Sequence, residues 1–167
     1  MTFRNQAAAD PLGGFRFAVT MAEPSRPSGA LSPGAFRSLQ AGFSEVSGLG
    51  SRIEVHTYAE GGRNDTSLRF PTRAEHTNLT FRRGVVRDQA LFEWFNAVRY
   101  GSFGARRNIL VAHLEPDGRA ALVWLIRRAF PVAFVGPTWD ASQSITAIES
   151  LEVAHEGLDL LPTGAPS

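Results

Sequence analysis

The stretch "ILVAHLEPDGRAALVWLI", Ile109 to Ile126, decides the fold. Two β-prone runs flank Pro116-Asp117-Gly118. Proline presets φ for a turn, aspartate bonds the backbone just ahead of it, and glycine takes the positive φ that closes the loop. The spacing therefore predicts an antiparallel hairpin. Downstream, "RAFPVAFVGP" (128–137) continues as strand, with Pro131 and Pro137 marking edge or bulged positions. "SITAIESLEVAHEG" (144–157) is open at this stage: Ile145, Ile148 and Leu151 fit a helical period, whereas Leu151 and Val153 fit a strand.

Working upstream, "NLTFRRG" alternates, placing Leu79 and Phe81 inward and Thr80 and Arg82 outward. "RIEVHTY" sets Ile53, Val55 and Thr57 against Arg52, Glu54, His56 and Tyr58, and predicts that Ile53 and Val55 pack inward. "FRFAVTM" puts Phe15, Phe17, Val19 and Met21 on one face and Arg16, Ala18 and Thr20 on the other. One helix is expected in "RDQALFEWFNAVRYG", capped by Asp88 and ended by Gly101. Its stripe of Leu91, Phe92, Trp94, Phe95 and Val98 should lie across a sheet. Glu23 to Gln40 is rich in Pro, Ser and Gly and reads as a long loop insertion. Glu60 to Glu75 reads as an extended arm, with only Leu68 and Phe70 as large apolar residues before Pro71. The whole predicts one domain over 1–167, with its core in 10–158 and a tail from 159 to 167. The fold class is mainly β: an antiparallel β-sandwich or open barrel with one flanking α-helix.

Composition narrows the chemistry. The chain has 167 residues and no cysteine, which excludes disulfides and thiolate metal sites. All 17 basic residues are arginine, so Schiff-base and P-loop lysine mechanisms are excluded too. A net charge of +1 argues neither for nucleic acid nor for anionic lipid as a partner. No apolar run reaches membrane-spanning length, and the first residues lack a secretory h-region, so no stable membrane insertion and cytoplasmic assembly are expected.

"HEGLD", His155 to Asp159, begins like the zinc-peptidase signature H-E-x-x-H but ends in aspartate. Were it helical, Gly157 inside the turn would cost about 1 kcal/mol relative to Ala, and Asp159 would reach less far than His. A zinc-dependent hydrolase on His155 is therefore the rival of another class, and the bland reading is a strand ending in a glycine turn. His56, His76 and His113 show no ligand spacing, and no serine has a nucleophile-elbow context. No catalytic, metal or cofactor site is predicted. A carbohydrate-binding β-sandwich is a further alternative, for which the sequence offers no aromatic platform.

Six collinear motifs carry a resemblance: "GFSEVSGL" (42–49), "YAEGGRND" (58–65), "NLTFRRGV" (78–85), "LFEWFNAV" (91–98), "AFPVAFVGP" (129–137) and "SLEVAHEGL" (150–158). Together, from about Asp10 to Leu158, they resemble the phage tail tube family, the inner tubes of contractile phage tails and contractile injection systems. The resemblance implies hexameric rings stacked into a tube, with sheath and baseplate proteins as partners and cargo or DNA in the lumen. It favours strand over helix for 149–155 and makes His155 and Glu156 structural. The 23–40 segment is longer than the tight connection expected there, so two roles follow: repeating tube subunit, or tube initiator joining tube to baseplate. On this reading Gly61, Gly62, Asn64, Asp65, Leu68 and Phe70 form a subunit interface, and Arg52, Glu54 and His56 face the lumen.

Overall fold

Pro116, Asp117 and Gly118 form the turn that their chemistry dictates. Gly118 sits at φ 84°, its N–H donates to the Glu115 carbonyl at 2.9 Å, and Asp117 accepts from the Arg119 N–H at 2.9 Å. The computed structural model of the chain describes residues 16–22, 42–59, 67–85, 89–101, 105–139, 142 and 147–162. Among these, the elements in chain order are β1 (Phe17–Ala22), β2 (Phe43–Ser47), β3 (Ser51–Ala59), β4 (Ser67–His76) and β5 (Leu79–Gly84). They are followed by α1 (Ala90–Arg99), β6 (Arg107–Leu114), β7 (Ala120–Val135), β8 (Ile148–Ala154) and β9 (Gly157–Leu161). The expected hairpin is β6–β7. The strand reading of the 144–157 stretch prevails as β8, and β9 carries the fold to Leu161, into the segment read as a tail. The 23–40 insertion and Asp88 lie outside the described residues.

Strand β7 organises the body. Its first half pairs with β6 on one side and β9 on the other, and its second half pairs with β8. The change of partners falls at Arg128, a non-glycine residue at φ 51°, whose N–H is held by the Asn108 side chain at 3.0 Å. A bulge follows between Pro131 and Ala133 in the pairing with β8, and a proline that lacks an N–H is tolerated at such a break in the ladder. The strand order β1-β6-β7-β8-β5-β2 thus bends along β7 into two layers. Val19, Ile109, Val111 and Ile126 from one layer meet Leu79, Phe81, Leu151 and Val153 from the other in one core. The inward and outward assignment of β5 therefore matches the structure.

Helix α1 closes the core with Leu91 and Trp94, both buried. The Trp94 indole N–H donates to the Ala105 carbonyl at 2.5 Å. Phe92 and Phe95 lie on the Phe134 ring, at 5.2 Å and 6.2 Å between centroids. Phe92 remains half-exposed, at the margin of the stripe rather than under it. The N-cap position is Gln89, without a side-chain cap bond, while Gly101 takes the left-handed ending at φ 90°. In β1, Ala18 and Thr20, on the face opposite Val19, are buried as well; Ala18 joins Leu110, Ala112 and Val123 in a second apolar cluster. Alternation located the two faces, but both are covered.

Candidate assembly surfaces

Strands β3 and β4 form a two-stranded sheet of their own, paired only with each other. Their register sets Tyr58 opposite Leu68, His56 opposite Phe70, Val55 opposite Pro71 and Ile53 opposite Ala74, with a bulge between Ile53 and Val55. Directly opposed residues share a face. One face therefore carries Arg52, Glu54, His56, Tyr58, Leu68 and Phe70; the other carries Ile53, Val55, Pro71 and Ala74.

This corrects the reading of β3. Ile53 and Val55, expected to pack inward, are 61% and 47% exposed. Period-2 alternation marks two faces but cannot say whether either meets a body, and among the described residues none packs against this ribbon closely enough to bury Ile53 or Val55. Leu68 and Phe70 are 41% and 50% exposed, and Tyr58 53%. Of the segment read as an extended arm, 67–75 lie in β4, which pairs antiparallel with β3 to make a two-stranded ribbon, called the arm below. The register also joins two groups that the sequence treated separately: Arg52, Glu54 and His56 share the face of Leu68 and Phe70. Gly61, Gly62, Asn64 and Asp65 lie outside the described residues.

Charges near the base of the arm pair among themselves. The Arg52 guanidinium donates to Glu75 through Nε at 2.9 Å and through its terminal nitrogen. Arg73 Nε donates to Glu54 at 2.8 Å. The bond from Arg52 holds the Glu75 carboxyl below its usual range. Open to solvent on their arginine side, such pairs add little stability, but they leave a hydrated surface of mixed and balanced charge. The outer face of the body sheet is similar: Glu45 pairs with Arg82 at 3.3 Å, and Glu152 accepts from Asn78 at 2.7 Å.

The arm is fixed at its root. Gly48 sits at φ 89°, and a Cβ there would stand 2.1 Å from the Asn78 carbonyl oxygen. The Thr77 N–H donates to the Gly50 carbonyl at 3.0 Å. Ser51 Oγ and His76 Nδ1 are 2.8 Å apart, and the His76 ring stacks on His155 at 5.1 Å between centroids. Both nitrogens of His155 face carbonyl oxygens, Gly157 and Thr77, each at 3.1 Å. His155 thus couples the β8–β9 turn to the arm, a role invisible in sequence because its partner lies far along the chain.

These partners also answer the question raised by "HEGLD". Glu156 bonds Arg106 and, at 2.6 Å, Arg128; Asp159 bonds Arg127 at 3.1 Å. Gly157 starts a strand, and Arg127 occupies the space where a Cβ would project. His155, Glu156 and Asp159 point to three different partners and do not converge. Among the described residues no three His, Asp or Glu side chains gather as a metal site.

Sequence reasoning also missed Arg83, which is buried and pairs with Glu149 at 2.5 Å. Arg83 shares the core face of β5 with Leu79 and Phe81, where alternation calls for an apolar residue.

A rigid two-layer body, a ribbon with large apolar residues in solvent, and polar residues engaged with one another define a structural subunit that meets other proteins through its surface. The chain belongs to the T4-like virus tail tube protein gp19 family, whose model matches residues 13–159. Its fold is similar to a chain in the cryo-EM structure of the anti-feeding prophage baseplate, 6-fold symmetrised: 23% identity, TM-score 0.75, covering 92% of this chain and 97% of that one. The PVC sheath-tube complex of an extracellular contractile injection system, in its extended state, gives 22% identity and TM-score 0.75 over 93% and 95%. The anti-feeding prophage tube terminating cap gives 21% and 0.77 over 95% and 96%. No curated protein matches. Family membership makes this chain a structural protein of the inner tube, not an enzyme.

Proposed function

We propose that this chain is the repeating subunit of the inner tube, forming hexameric rings that stack around a channel for protein cargo or DNA, inside a sheath and upon a baseplate. Assembly takes place in the cytoplasm. The observation that carries the reading is, in a family member, a separate two-stranded ribbon whose large apolar residues stand exposed among the described residues. A head-to-tail contact that does not close on itself propagates along an axis, which is what a tube needs. Leu68 and Phe70 dock on a neighbouring copy, with Gly61, Gly62, Asn64 and Asp65 contributing to the same interface. Arg52, Glu54 and His56 share the face of Leu68 and Phe70 and line the channel where the docked neighbour leaves that face uncovered. The Arg52–Glu75 and Arg73–Glu54 pairs would give the wall a wet, charge-balanced surface suited to varied cargo.

Electron microscopy of the purified protein tests the reading, and six-fold rings or tubes are the expected result. Leu68→Ser with Phe70→Ser should leave the circular dichroism and melting of the monomer unchanged while weakening rings or stacks. Unfolding of that monomer, or tubes as abundant as the parent's, would refute the arm's role. A second reading, the tube initiator, is supported by the likeness to a baseplate-structure chain and by the long 23–40 segment. Unlimited growth of tubes from this chain alone would exclude it.

A further inference from the structure

We infer that His76 and His155 form a proton-operated lock on the root of the arm, which holds while the pair carries at most one proton and releases when it takes up a second. The lock lies within one chain, and it stands whether that chain builds a tube or starts one. The two rings are 5.1 Å apart between centroids and tilted by 32°. His76 ends β4, whereas His155 lies between β8 and β9, so their contact joins the arm to the body. His155 also reaches the carbonyl of Thr77, the residue that follows β4.

Either ring is placed to take a proton alone. The nitrogens of His155 face the carbonyl oxygens of Gly157 and Thr77, each at 3.1 Å. A neutral imidazole has a single N–H and donates to only one of them, leaving a lone pair against the other; an imidazolium donates to both. His76 Nδ1 lies 2.8 Å from Ser51 Oγ, a hydroxyl that turns to donate to a bare nitrogen or to accept from an N–H. A second proton meets a different situation. Burial disfavours charge on His155, and a charge on the adjacent His76 ring opposes it further. The carboxylates of the surrounding strands are engaged elsewhere: Glu54, Glu75, Glu149 and Asp159 each with an arginine, Glu156 with two, and Glu152 with Asn78. Arg127 stands against Gly157 and adds positive charge on that side. Two imidazoliums therefore repel without a counter-charge between them, and moving the arm relieves the repulsion. Its strands bond only to each other, so the arm can move as a unit.

The chain has no cysteine, so spin labels attach only where cysteines are introduced. Thr57→Cys on the arm and Leu160→Cys on β9, both exposed, report the distance between arm and body by double electron–electron resonance. In the otherwise unchanged chain the distance distribution should be narrow at about pH 8 and broaden as pH falls to about 5, the range in which histidines take up protons. His76→Gln removes the second charge while sparing the contacts of His155 with Thr77 and Gly157, so its distribution should stay narrow over the same range. NMR titration of the histidine rings should show His155 binding its proton at least about tenfold more tightly in His76→Gln than in the parent. A parental distribution that acid leaves unchanged, or one that broadens at the same pH in His76→Gln, would overturn the lock. So would two rings in the parent that titrate as independent single sites, a result that decides the matter even if the variant fails to fold.

Discussion

His155 illustrates how one residue ties the arm to the body. Its two nitrogens face the carbonyls of Thr77 and Gly157, and its ring lies against His76. Burial lowers its pKa from the ordinary 6.5; the two carbonyls oppose that shift, and the His76 ring adds to it. The folded protein therefore binds this proton more weakly than the unfolded chain does. The stability so contributed is present in full above the ordinary value and is lost as pH falls through the lower, folded one. Acidification from about pH 7.5 to about pH 5 should therefore lower the thermal midpoint of the parent more than that of His155→Gln. Carboxylates such as Glu75 titrate alike in both proteins, so the difference between the two curves isolates the histidine. Superimposable pH profiles would remove His155 from this role.

Among the elements, the arm depends on how its first strand leaves the body. Gly48 has both a positive φ and a carbonyl oxygen where a side chain would begin, whereas Gly101 has a positive φ and open space. Gly101→Ala should cost about 1 kcal/mol, the ordinary penalty of left-handed backbone. Gly48→Ala should cost at least about twice that, because the Asn78 carbonyl must also move. Thermal melting of the two variants checks the ranking, and limited proteolysis should find the arm opened only in Gly48→Ala. The same comparison shows what was legible in sequence. The 109–126 hairpin, α1 and the two faces of β5 depend on local periodicity and turn chemistry, and all three could be read. The coverings of β1 and β3 depend on what lies opposite in space, which alternation does not report. Both faces of β1 are covered, Ala18 included, whereas Ile53 was expected inward and is exposed. Arg83 and the His76–His155 stack were hidden for the same reason, since their partners Glu149 and Thr77 come from distant segments. Of the candidate surfaces, Leu68 and Phe70 stood out by composition, whereas the second apolar face of the arm emerged only from the register.

For the whole molecule, a net charge of +1 and an arm whose basal charges pair internally imply that stacking depends on apolar contact rather than on attraction between rings. Raising salt from about 0.1 M to about 1 M shortens the screening length from about 10 Å to about 3 Å. Tubes should persist with unchanged or greater length under that change, as seen by sedimentation and microscopy; dissolution would assign the stacking to charge. The position of β7 and β8 in the chain has a consequence of another kind, in time. Phe17 finds its partner only at His113, and Leu79 only at Val153. A ribosome making this chain therefore releases the arm and its first supporting strands well before β8 and the His155 joint exist to hold them. Long-range pairing of this sort is slow, and unpaired strands invite wrong neighbours. Because the joint is synthesised after the arm, a nascent chain that has not yet reached His155 lacks the contact that holds the arm to the body. A competent docking surface is thereby deferred until β8 has been made and paired.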